Sequence, residues 1–75
     1  MSKQNRRYVV CVNNAGYHVS LDLRKIYESV ADREAETHNL IRVFDESGED
    51  YLYPSQYFLP IDLPEHIRAA LRRAS

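Results

Sequence analysis

The chain has a single cysteine, Cys11, which excludes an internal disulfide and any zinc site built on paired cysteines. It has no tryptophan, so no indole wall stands in any groove it forms. No apolar run comes near the roughly 20 residues that a helix needs to cross a bilayer. Residues 1–7 are mostly polar, and the apolar run 8–12 that follows is too short for the core of a signal peptide. With one unpaired cysteine, the expected location is a bacterial-type cytoplasm. Neither sign of charge dominates: 10 Lys and Arg face 11 Asp and Glu, a formal net charge of -1. A nucleic-acid binder of this size ordinarily carries a clear basic excess.

What is present is enough for one domain. At 75 residues a fold buries on the order of 60% of the surface its unfolded chain exposes, so stability rests on packing and backbone pairing. The 44% hydrophobic and 28% charged fractions are those of a globular protein rather than a disordered one. Tyr8-Val9-Val10-Cys11-Val12 is β-branched and aromatic and reads as a strand covered on both faces. Asn13-Asn14-Ala15-Gly16 is turn chemistry, so that residues 17–21 return as an irregular hairpin. Within 23–30, Leu23, Ile26, Tyr27 and Val30 have helical spacing, while Ile26, Glu28 and Val30 alternate. The strand is preferred because the surrounding pattern of strands requires one there. Residues 31–38 read as a loop carrying a helical turn, with Asp32 as N-cap and an end at Asn39.

Leu40-Ile41-Arg42-Val43-Phe44 and Asp50-Tyr51-Leu52-Tyr53 are strands of a tight hairpin in which Gly48 takes a left-handed conformation. Residues 54–57 form a short 3₁₀ turn, and 58–61 a last strand whose Pro60 implies an edge. A helix follows over 64–73, with Asp62 or Leu63 at its cap. Ile67, Ala70, Leu71 and Ala74 share one face of it, and Arg68, Arg72 and Arg73 lie elsewhere.

The segment Tyr51-Leu52-Tyr53-Pro54-Ser55-Gln56-Tyr57-Phe58 resembles the closing motif of SH3 domains, with Pro54, Ser55 and Tyr57 as direct matches and Gln56 where Asn is usual. Val9 to Asn13 falls where that family carries its first aromatic motif, and Leu21-Asp22-Leu23 where Leu-Ser-Phe is typical. The resemblance covers residues 8–61. It implies a mainly β fold, a five-stranded SH3-like barrel with a short C-terminal α-helix, in the order 1–7 N-terminal tail, 8–61 barrel and 62–75 helix packed on the barrel. It also implies a peptide groove, of which only Pro54 and Tyr57 carry over. Cys11 and Asn13 replace two groove tyrosines, His38 or Asn39 stands nearest the missing tryptophan, and residues 13–20 contain no acid. Proline-peptide binding by the family's usual route is therefore not expected. The C-terminal helix is a candidate cover for that groove.

Cys11 lies in an apolar run without a neighbouring base and reads as core, not as a nucleophile. His18, His38 and His66 have no compact ligand spacing and read as surface residues, and Asp45, Glu46, Glu49 and Asp50 lack the spacing of a calcium loop. No metal, cofactor or catalytic residue is expected. Six tyrosines remain as the notable feature. Tyrosine joins apolar area to a polar tip and is enriched at interfaces. Tyr51 and Tyr53 share one strand face, opposite Leu52. The expected function is a small, monomeric, non-enzymatic interaction module that binds a protein or peptide through Tyr17, Tyr51, Pro54 and Tyr57. The competing expectation is a nucleic-acid-binding small barrel using the basic ends, Arg6, Arg7, Arg68, Arg72 and Arg73.

Overall fold

In the computed structural model the described residues are 6–45 and 47–74, without the side chains of Arg72 and Ala74. Residues 1–5 of the expected tail, Glu46, and the side chains of Arg72 and Ala74, all singled out above, thus lie outside the described residues. The strand β1 (Arg6–Cys11) begins two residues before the apolar run, taking in Arg6 and Arg7. It pairs antiparallel with β2 (Ile26–Val30) in a register that sets Val9 against Tyr27. Because Val9 is inward and buried, Tyr27 and Ser29 turn inward as well, while Ile26, Glu28 and Val30 take the outer face. Of the strand expected over 23–30, Ile26–Val30 form it and 23–25 belong to the connection before it, while the helical spacing of 23–30 is incidental.

A long irregular connection joins these strands. It leaves β1 through a bulge, in which Cys11 N–H donates to Lys25 O at 3.0 Å while Arg24 N–H donates to Cys11 O at 2.7 Å. Leu21, although outside any strand, is 1% exposed and part of the core. The Tyr27 hydroxyl accepts Asp22 N–H at 2.9 Å and so pins the returning chain.

The helix α1 (Arg33–Thr37) is capped by Asp32, whose carboxylate accepts Ala35 N–H at 3.1 Å. The chain leaves it through Asn39 at a positive φ of 60°, a conformation Asn tolerates at a helix end. The next strands, β3 (Leu40–Phe44) and β4 (Asp50–Pro54), form the tight hairpin. Gly48 sits at φ 91°, as the reversal requires. Asp45 fixes the tip: its Oδ1 accepts from Ser47 N–H at 2.9 Å and from Ser47 Oγ at 2.6 Å. A 3₁₀ turn (Ser55–Tyr57) then leads to β5 (Phe58–Ile61), which pairs with β1.

The fold is mainly β: five antiparallel strands in one sheet, in the order β4-β3-β2-β1-β5, with a short C-terminal helix. Val9, Cys11, Leu21, Tyr27, Val43, Tyr53 and Phe58 make the core on one face. In a flat five-stranded sheet the outer strands would stand about 19 Å apart. Here the rings of Tyr53 on β4 and Phe58 on β5 are 6.0 Å apart, so the sheet curls to bring its two edges together at that end.

The second helix, α2 (Glu65–Ala74), lies against the outer face. Pro64, not Asp62 or Leu63, stands at its cap, its carbonyl accepting Arg68 N–H at 3.0 Å. The face turned to the sheet also differs from the apolar stripe. Ile67 is 39% exposed and Ala70 is exposed, while Arg68 and Leu71 are half-buried. The Arg68 guanidinium lies 5.5 Å from the Tyr8 ring centroid and donates to the Arg6 carbonyl at 3.5 Å. An aromatic face and a carbonyl acceptor on the sheet favour the arginine there, and its stem supplies the apolar contact. Tyr8 is only 6% exposed beneath it.

Candidate functional site

Three of the four expected contact residues meet at one rim of the core. The 3₁₀ turn that Pro54 initiates points Tyr57 back toward the long loop, where its hydroxyl donates to Ala15 O at 2.9 Å. Val12 N–H donates to Tyr57 O at 2.8 Å, so loop and turn are tied at two points. The loop in turn holds Tyr17. Asn13 Oδ1 accepts Ala15 N–H at 2.9 Å, Asn14 Nδ2 donates to Leu21 O at 2.9 Å, and Tyr17 N–H donates to Asn14 O at 2.8 Å. The Tyr17 ring stands edge-on to Tyr53 at 5.1 Å and to Tyr57 at 6.1 Å. Tyr51 extends the row, its ring 6.4 Å from that of Tyr53.

The result is a fixed aromatic ridge, Tyr51–Tyr53–Tyr17–Tyr57, anchored by Tyr53 at 5% exposure. Tyr51 and Tyr17 remain open at 43% and 38%. Sequence reasoning omitted Tyr53 from the site. Alternation with Tyr51 was its only signal, and alternation alone cannot say that one member of the pair is anchor and the other rim. Leu52 on the opposite face is 41% exposed, so the strand has no wholly buried outer side.

Pro54 does not join the ridge directly. It is half-buried and lines a shallow groove with His38, Asn39, Leu40, Ser55 and Gln56. A second groove shares His38 and Leu40 and runs on past Glu34, Arg42 and Leu52. The site therefore has two sides about β4: tyrosine rings on the inner, and Leu52, Leu40 and Pro54 on the outer.

The electrostatics of the ridge are acidic at one end. Tyr51 Oη donates to Glu49 Oε1 at 2.7 Å, and that bond, with the nearby Asp45 charge, pushes the Tyr51 hydroxyl up to about 12. The ordinary tyrosine value is about 10. Helix α2 is on the other face, over Tyr8, and leaves the ridge uncovered.

The remaining candidates have structural surroundings. Cys11 is 0% exposed, its thiol donating to Asn13 O at 3.4 Å. Among the described residues no three His, Cys, Asp or Glu side chains converge as metal ligands. Arg6 pairs with Glu28 at 3.4 Å and lies 4.0 Å from the Phe44 ring centroid. Arg7 lines a recess with Asp32 and Glu36, and Arg73 is exposed on α2. Arg6 and Arg68 are thus neighbours on the outer face, and Arg7 falls on another surface. Among the described residues no helix is long and apolar enough to cross a membrane. The chain matches no protein-family model and no curated protein, and its structure matches no solved structure.

Proposed function

We propose that this chain is an SH3-like, monomeric, cytoplasmic interaction module without enzymatic activity, which binds a protein or peptide through Tyr17, Tyr51, Pro54 and Tyr57. The observation that carries the reading is the ridge itself. Two exposed tyrosines are held in place by ring contacts to a buried one, Tyr17 edge-on and Tyr51 tilted, and by a loop cross-tied at Tyr57. Pre-ordered aromatic surface of this kind loses little entropy on binding. The order of five antiparallel strands and the 3₁₀ turn before the last strand support the family resemblance. The engagement of Arg6 with Glu28 and Phe44 and of Arg68 with Tyr8, together with the net charge of -1, weighs against the nucleic-acid reading.

Affinity capture from a lysate at low and high salt tests the proposal, with Tyr17→Ala and Tyr51→Ala alongside the natural chain. A protein held by the natural chain at both salt concentrations and lost by the variants, whose far-UV spectra stay native, is the expected result. Nucleic acid held at low salt, released at high salt and indifferent to both variants would transfer the function to the basic ends.

A further inference from the structure

Strand β4 is an outer strand of the sheet, and its register with β3 fixes which of its backbone groups turn inward. Ser55 N–H donates to Asn39 O at 2.9 Å, and Asp45 N–H donates to Glu49 O at 2.9 Å. In the β3–β4 register these are the hydrogen-bonded pairs, so Tyr51 and Tyr53 also turn their backbone groups to β3. Asp50, Leu52 and Pro54 then present theirs to the open side, where among the described residues no strand pairs with β4. Pro54 has no N–H, which leaves Asp50 and Leu52 with free donors and acceptors. The curl of the sheet closes the Tyr53–Phe58 end, whereas Asp50, Tyr51 and Leu52 are all exposed. The opposite edge, β5, carries Pro60, a residue that blunts strand edges.

The surroundings of this edge are acidic. Asp45, Glu49 and Asp50 stand at the hairpin end, and Glu34 lines the groove beside Leu52. Arg42 is already held by Asp32 at 2.7 Å and Asp50 at 2.8 Å. We propose, as a deepening of the interaction reading above, that the open edge of β4 at Asp50–Leu52 receives an extended, basic segment of a partner protein as an added strand. Backbone bonds to Asp50 and Leu52 supply the pairing. Alternate side chains of the added strand meet the tyrosine ridge on one side and the Leu52–Leu40–Pro54 groove on the other, with lysine or arginine set against Glu49 on the first face or Glu34 on the second. The two sides of the site, separate in the fold, thus become the two faces of one bound strand.

The test is an amide chemical-shift titration of the full chain with a blocked ten-residue peptide of alternating lysine and valine, and with its glutamate–valine counterpart. The expected result is salt-sensitive shifts at Asp50 and Leu52 with the lysine peptide and none with the glutamate peptide. Leu52→Pro deletes an outward donor and leaves the β3 ladder intact, so it abolishes the shifts. Leu52→Lys repels the basic strand and weakens binding at least tenfold, which serves if the proline variant does not fold. Shifts confined to Tyr17 and Tyr57 would overturn the added strand and leave the ridge reading standing. Shifts at Asp50 and Leu52 that survive Tyr17→Ala would leave the added strand standing without the ridge. Shifts that follow protein concentration alone, with a doubled mass, make a second copy the occupant and overturn the basic partner. The absence of any shift at millimolar lysine peptide overturns the proposal outright.

Discussion

Tyr51 is nearly half exposed, yet its hydroxyl is committed. Donation to Glu49 at 2.7 Å, reinforced by the charges of Glu49 and Asp45, holds the neutral form and pushes the group up to about 12. An unfolded tyrosine ionises near 10. The raised value means that the contribution of this bond to stability is complete below about pH 10 and is lost as pH rises through about 12. Glu49→Gln removes the charge, so the Tyr51 ring should then titrate close to 10 in a pH series followed by NMR. If natural Tyr51 itself titrates near 10, the hydroxyl is not held by Glu49 and the acidic end of the ridge is solvated. The same bond fixes the direction of the ring, which is why a rim residue with little packing has a defined place in the site.

Between elements, Arg42 joins α1 to β4 by bonding the carboxylate that caps the helix and the one that opens the strand. Acceptance from Ala35 N–H, and then from Arg42, lowers the Asp32 pKa below the ordinary carboxylate value of about 3.9. The stabilisation is therefore complete above about pH 4 and is lost as pH falls through the lower folded value. Asp32→Asn keeps a cap acceptor but gives up the charge, so it should flatten the acid limb of a stability–pH curve below about pH 4, whereas a curve unchanged by the substitution would leave Arg42 a bystander. At this scale the sequence was most legible. Cap, hairpin and 3₁₀ turn each have a local signature in Asp32, Gly48 and Pro54. Strand phase was legible only in part, because β2 carries apolar residues on both faces and its inward set, Tyr27 and Ser29, is decided by pairing with Val9. The helix face was misread for a similar reason: an arginine packs inward when an aromatic ring lies beneath it, and that ring is some 60 residues away in the chain. Nor could any local pattern place Tyr17 against Tyr53 and Tyr57, since the contact depends on the β1–β2 loop meeting β4 and the 3₁₀ turn, which come much later in the chain.

For the whole molecule, connectivity sets an order of assembly. The β3–β4 turn closes over a few residues, with Asp45 binding Ser47 and Glu49 at its tip, whereas β1 and β5 meet only when nearly the entire chain is in place. Loop closure costs more for the distant pair, so the tight hairpin is expected to form in the folding transition state and the β1–β5 pairing after it. Two substitutions separate these steps. Gly48→Ala meets no atom within 4 Å, so its cost, about 1–2 kcal/mol, is the left-handed backbone at φ 91° alone. That cost should appear as folding slowed by roughly fivefold to thirtyfold, with unfolding almost unchanged. Phe58→Leu loosens ring contacts to Tyr27 and Tyr53, both 6.0 Å away, by about 1 kcal/mol. Here unfolding should accelerate while folding is spared, because those rings pack only once β5 has docked beside β2 and β4. Chevron plots of the two variants decide the matter. Equal partition in both would mean a nucleus spread over the sheet. Reversed partition would mean that Tyr27, Tyr53 and Phe58 collect before the hairpin closes, with the core rather than the turn directing the fold.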